Sequence, residues 1–275
     1  MTEQQEIIIK PGMGVTHYWC EIWRYRELFF FLAWRDILVR YKQTAIGIAW
    51  SVLRPLVTMG VFTAVFGTLA GLPSSGVPYP VLVYAALLPW QFFAGSLTES
   101  SNSLVDNANL LTKVYFPRMI VPAGSVIVGV VDFLISCLVL AALMAWYGFV
   151  PDLKVLTLPA FLLMAFFASF GAGLWLSALN VKYRDFRHLV PFIVQVGLYI
   201  SPVGFSSSIV PEKWRFFYFL NPMVGVIDGF RWALLGDGFP VNWAGIGLSG
   251  LLVAAIFASG VLYFRRMEKS FADVV

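Results

Sequence analysis

Residues 243–264 read WAGIGLSGLLVAAIFASGVLYF, without an Asp, Glu, Lys or Arg. A bilayer span takes roughly 20 mostly apolar residues, and a helix of a soluble core would keep a polar face that this stretch lacks. Five more apolar stretches lie near 46–70, 81–100, 119–147, 156–179 and 189–206. Backbone groups in lipid must be paired internally, so spans are helices or closed barrels. Barrel strands alternate apolar and polar residues, and these stretches do not. The sequence therefore predicts an all-α integral membrane protein with six transmembrane helices.

Composition agrees. The 275 residues are 59% hydrophobic and 12% charged, with a mean hydropathy of +0.79, which excludes a disordered chain and an ordinary soluble domain. The net charge of +4 is unevenly spread. Lys and Arg crowd the segment before residue 46, the stretches 101–118 and 181–188, and the end after 264, while the alternate loops 71–80, 148–155 and 207–242 hold none, one and three. The positive-inside rule puts the basic segments in the cytoplasm. With an even number of spans both termini are cytoplasmic, and the basic excess reports membrane topology rather than nucleic-acid binding. Cys20 and Cys137 predict no disulfide. The start, MTEQQEIIIKPG, has no long apolar run of a signal peptide, so the first span is expected to direct insertion.

Residues 1–16 read as a cytoplasmic tail and 17–275 as a single domain. Over 17–45, Trp19, Ile22, Trp23, Phe29, Phe30, Ala33 and Ile37 recur at helical spacing among Arg24, Arg26, Arg35, Arg40 and Lys42. That mixture predicts an amphipathic helix at the headgroup level. Stretch 101–118 is polar and helix-compatible around 103–114. Between spans five and six, residues 207–242 predict two short helices, near 211–219 and 222–235, re-entrant into the outer leaflet.

Three charged residues fall inside apolar runs: Arg54, Glu99 and Asp132. A carboxylate at mid-membrane costs about 2.5–3.5 kcal/mol on insertion scales, so Asp132 should face the bundle interior or water. It serves either a path or gate, or a structural hydrogen bond. Arg54 either pairs with Glu99 or snorkels to the interface. Gly67 and Gly71 form one GxxxG, equally suited to packing within a subunit or between two. Trp50, Phe62, Phe66, Tyr84, Trp90, Phe93 and Tyr199 lie within spans and could stack on sugars along a channel, or simply pack. There is no P-loop, H-E-x-x-H or G-x-S-x-G, and His17 and His188 are the only histidines. Neither a metal site nor an enzyme active site is expected.

Several segments together resemble the ABC-2 type permease family, in its polysaccharide-exporter branch. RDILVRYKQTAIGIAWSVLRPL (Arg35–Leu56) is similar to that family's basic segment followed by L-G-x-x-W-x-x-x-x-P. Arg40, Tyr41, Thr44, Gly47, Trp50 and Pro55 match, and Ile46 replaces the usual Leu. LLPWQFFAGSL from Leu87, NLLTKVYFPRMIVP (Asn109–Pro122), NVKYRDFRHLVPFIVQVGLYISPVGF (Asn180–Phe205) and LNPMVGVIDGFRWALLG (Leu220–Gly236) follow in order. Each motif alone is weak, and five in order are strong.

The resemblance implies the permease subunit of an exporter of lipid-linked polysaccharide, such as O-antigen or capsule, in the bacterial inner membrane. It implies a homodimer, driven by two copies of a separate cytoplasmic ATPase that hold the ATP and Mg, with no cofactor on this chain. Helix 17–45 then resembles the interface helix, with Arg35, Arg40, Tyr41 and Lys42 as ATPase-coupling residues. Stretch 101–118 resembles a coupling helix, with Leu104, Leu110 and Leu111 docking and Asn109 and Lys113 at the rim. The helices near 211–235 resemble an outer gate carrying Pro211, Trp214, Asp228 and Arg231, the last two forming an exposed local pair. The alternatives are an ABC-2 exporter of a drug or small lipid, an ATPase-free channel or ion-coupled transporter using Asp132, and a membrane scaffold.

Overall fold

The computed structural model describes residues 15–42, 45–183, 185–239, 241–268 and 271. Thr44 and all but the last two residues of the 1–16 tail lie outside them. The order is α1 (Val15–Arg24), α2 (Arg26–Lys42), α3 (Ala45–Phe62) continued by a π-helical stretch Thr63–Leu69, α4 (Tyr79–Asp106), α5 (Ala108–Lys113) and α6 (Ile120–Trp146). A 3₁₀ turn (Leu153–Thr157) leads into α7 (Leu158–Lys182), followed by α8 (Phe186–Ile200), α9 (Glu212–Tyr218), α10 (Pro222–Leu235) and α11 (Trp243–Glu268). No strand occurs among the described residues.

Among the described residues five helices, not six, are long and apolar enough to cross a membrane: 49–69, 79–106, 120–146, 153–182 and 243–268. The predicted fifth span, 189–206, is a helix of 15 residues, about 22 Å long against a hydrocarbon core of about 30 Å. Pro202 stops it. The residue before a proline is disfavoured in the α conformation, and Ser201 is extended at φ −76°, ψ 153°. The apolar run continues to Phe205, but the helix does not. The short helices of 207–242 do form, as α9 and α10, but no re-entrant loop is found among the described residues. α10 instead packs against α4, α7 and α11, with most of its residues buried.

α4 is the hub. Val81 through Leu88 are all at most 3% exposed, and α3, α6, α7, α8 and α10 pack around it. By contrast, only 11% of the best window of the first span is buried, against 72% in α4. α7 and α11 approach closely through glycines. A Cβ on Gly171 would lie 2.6 Å from Phe257 Cα, and one on Gly260 would lie 2.3 Å from the Gly171 carbonyl oxygen. The GxxxG at Gly67 and Gly71 serves packing within the chain. Gly67 lies against the Tyr79 ring, and Gly71 lies beyond the helix in a turn at φ +61°.

The amphipathic helix predicted over 17–45 is two helices with a bend at Tyr25, where the Tyr25-to-Glu21 and Phe29-to-Tyr25 backbone bonds persist at 3.0 and 3.1 Å. α2 does not simply rest on a surface. Ala33 lies against Gly124, and the α2 end reaches Asp132 of α6, so α2 follows α6 for about two turns. Arg35 on α2 also donates to Oδ1 of Asn107, just beyond the end of α4, at 2.8 Å. Trp23, Phe30, Phe31 and Trp34 remain exposed.

The expectation that both termini are cytoplasmic came from the placement of the basic segments and requires an even number of spans, which the five long helices do not supply. The two described ends nonetheless meet. The Arg265 guanidinium of α11 stacks 4.8 Å from the Tyr18 ring of α1, and Arg118 N–H donates to Glu268 at 2.7 Å.

Candidate functional site

A cavity of about 530 Å³ opens between α3, α4, α6 and α8. Its wall is mixed. Trp90, Phe92 and Phe133 supply aromatic surface, while Arg40, Arg54, Gln91, Glu99, Asp132 and Gln195 supply polar groups. An apolar helix that turns such side chains inward makes a polar interior bounded by lipid-facing residues, the arrangement required of charged groups at membrane depth.

Asp132 is the anchor. Its Oδ2 accepts from Arg40 Nη2 at 2.8 Å, and its Oδ1 accepts a short hydrogen bond from the Tyr41 hydroxyl. Burial and the neighbouring Asp132 hold the Tyr41 phenol well above its ordinary value. Arg40 also reaches Glu99, with Nη1 at 3.6 Å from Oε1. Glu99 therefore pairs with Arg40 rather than with Arg54. Arg54 is exposed and faces the same cavity, with no carboxylate within 4 Å among the described residues. One cation of α2 thus spans carboxylates of α4 and α6, and the two sequence-adjacent residues Arg40 and Tyr41 occupy both oxygens of Asp132.

A second cavity of about 430 Å³ lies toward the α5 end and is lined by Arg35, Asp36, Arg40, Glu99, Asp106 and Asn107, among others. Of the coupling candidates there, Asn109 and Lys113 are exposed, Leu110 is half-buried and Leu111 is buried. Leu104 is fully buried within α4, so it belongs to the core rather than to a docking face. Lys42 is exposed.

The aromatic candidates divide into groups. Trp90 lines the first cavity, and Phe93 packs 5.6 Å from it. Phe62 stacks on Tyr199 at 6.1 Å and lies 5.4 Å from Phe66. Tyr84 is fully buried in the core, and Trp50 is exposed on the outside of α3.

At the opposite end, Arg231 is not half of an exposed pair. Its side chain is buried, and it forms no ion pair with Asp228. Its Nη2 donates to Val203 O at 2.9 Å, its Nη1 to Phe205 O at 2.6 Å and its Nε to Leu82 O at 3.4 Å. The Tyr79 hydroxyl donates to Gly204 O at 2.5 Å. Three consecutive carbonyls beyond α8, which a helix would have satisfied, are thus held by two side chains. Burial lowers the Arg231 guanidinium to about 10. It also pushes the Asp228 carboxyl up to about 6, although the Ser207 hydroxyl and Arg231 act the other way. Burial and then Asp228 raise the Tyr218 phenol. Pro211 caps α9, and Trp214 is exposed on it.

Gln91, Gln195, Tyr79 and the real partners of Arg231 were not singled out from sequence. The first two had a signal, because each is the sole amide of an apolar run.

A multi-pass helical membrane protein with a polar cavity among its spans and a second cavity at one end has the form of a transport subunit. The chain matches the family described as ABC-2 type transporter over residues 27–235, and it belongs to that family. Its relatives include the O-antigen export system permease protein RfbA of Klebsiella pneumoniae, 27% identical over 88% of this chain and 92% of the relative. The RfbA of Myxococcus xanthus is 27% identical over 93% of this chain and 98% of its own length. The polysialic acid transport protein KpsM of Escherichia coli is 22% identical over 85% and 91%.

Proposed function

We propose that this chain is the permease of an inner-membrane exporter that moves a lipid-linked polysaccharide, driven by a separate cytoplasmic ATPase. The observation that carries this reading is the similarity, over 85–93% of this chain, to permeases named for O-antigen and polysialic acid export. The cavity chemistry supports it. Amides, hydroxyls and aromatic faces together suit sugar rings, and the 530 Å³ volume takes a short stretch of polymer at a time. The ion-coupled alternative loses its main support, because both oxygens of Asp132 are engaged by Arg40 and Tyr41.

In this reading two copies of the chain work with two ATPase copies, and the end bearing α1, α5 and the end of α11 faces the cytoplasm. Asn109 and Lys113 present the exposed edge of α5 to the ATPase. The Arg35–Asn107 bond carries displacement of that turn to α2. The test is depletion of this chain in its own cells, with surface polymer and intracellular lipid-linked polymer measured together. Loss of the first with accumulation of the second is expected. Unchanged surface polymer overturns the export reading. Charge reversal at Lys113 should keep ATP hydrolysis by the co-purified complex while abolishing export.

A further inference from the structure

The two cavities share two lining residues, Arg40 and Glu99. Arg40 stands at their junction with one guanidinium nitrogen toward Glu99 of α4 and another on Asp132 of α6. We propose that Arg40 is a closing residue, a positively charged bolt that seals the inner cavity from the outer one and is withdrawn with α2. The inference rests on the reading of this chain as a permease, but not on its cargo.

Three observations support the bolt. Arg40 sits near the last turn of α2, and Tyr41 beside it grips the second oxygen of Asp132. Both contacts therefore make and break with one helix. The same helix is tied by Arg35 to Asn107, the residue between α4 and α5, so it is connected to the exposed end of the bundle. Lastly, the bolt bridges two carboxylates. Withdrawing it leaves exposed Glu99 and half-buried Asp132 without their shared cation, and the two like charges repel and favour water. The closed form is held by charge-assisted bonds, and the open form by hydration of the freed carboxylates. Those are the two discrete arrangements a bistable element needs.

The test uses the full chain with its ATPase in membrane vesicles, without nucleotide or cargo. Gln91→Cys, in a Cys20→Ser, Cys137→Ala background, reports on the inner cavity through its rate of labelling by a membrane-impermeant maleimide. Arg40→Ala is expected to raise that rate about tenfold from the α5-bearing side, a shift in the open population of that size, with no change from the other side. Arg40→Lys should give a smaller rise. Should Arg40→Ala fail to reach the membrane, Glu99→Gln, which keeps the Asp132 bond, should still accelerate labelling about threefold. Arg40→Glu combined with Asp132→Arg should restore slow labelling. A rate within about twofold of the parent for Arg40→Ala or Glu99→Gln, or acceleration from both sides, overturns the bolt. Because the readout needs no polymer, a failed depletion experiment and a failed labelling experiment are separate results.

Discussion

Arg231 Nη2 donates to the carbonyl of Val203 at 2.9 Å, across 28 residues of chain. With Nη1 on Phe205, the guanidinium takes the place of backbone donors that a continuing helix would have provided. A buried cation is costly unless its donors are used, and here they are spent on carbonyl oxygens rather than on a carboxylate.

Arg231→Ala leaves those carbonyls buried without donors. At about 1–3 kcal/mol for each of the two freed carbonyls, the loss should be about 2–6 kcal/mol. We expect a large fall in the unfolding temperature of the detergent-solubilised protein, with partial retention in Arg231→Lys. An unchanged midpoint for Arg231→Ala would remove Arg231 from the fold's essential contacts.

Asp228 gives the fold a pH dependence. Its folded-state value of about 6 lies above an unfolded value of about 4. A raised carboxyl contributes stability that is fully present below the unfolded value and is lost as pH rises through the folded one. Stability should therefore fall between about pH 4 and 7, by on the order of 1–3 kcal/mol. Asp228→Asn should flatten that fall and raise stability at pH 7. Parallel pH profiles for the two proteins would count against it.

Tyr41→Phe removes the hydroxyl that Asp132 accepts while keeping the ring. A cost of about 1–2 kcal/mol should appear locally, as faster amide exchange in α2 than in α4. In a double-mutant cycle with Asp132→Asn, the two changes should be far from additive, because they remove the same contact. Additive effects would mean that the two groups act independently.

Gly171→Ala forces a Cβ to within 2.6 Å of Phe257 Cα. Backbone cannot yield as a side chain can, so about 1–3 kcal/mol or more should be lost. Gly250→Ala is the control, since its nearest neighbour would be Met164 Cε at 3.8 Å. Equal unfolding midpoints for the two variants would refute the close α7–α11 approach.

The five long spans were legible because hydropathy sums over about 20 residues and tolerates errors at either end. The shortness of α8 was not. Hydropathy continues through Val203 and Phe205, whereas the helix depends on the missing N–H of Pro202 and on Ser201 before it. The Asp228–Arg231 spacing suggested a local pair, because three residues apart on a helix is contact distance. The actual acceptors of Arg231 are carbonyls 26, 28 and 149 residues away, and nothing in a single sequence links them to it. The same limit applied to Asp132. Its cost in the membrane was readable, but its satisfaction by Arg40 and Tyr41, about 91 residues upstream, was not. Arg54 and Glu99 line one cavity, but the cation that pairs with Glu99 is Arg40 of α2.

The ending of α8 also has a consequence for synthesis. Val203, Gly204 and Phe205 leave the ribosome before Arg231 does, so of the two side chains that hold their carbonyls only Tyr79 is within reach at first. A nascent chain with Phe205 outside the ribosome and Arg231 still inside therefore carries an unfinished segment. The 15-residue α8 is too short to commit that segment to lipid by its own apolar length. Its placement waits for α10, and the order of translation, not only the final contacts, decides when this half of the bundle closes.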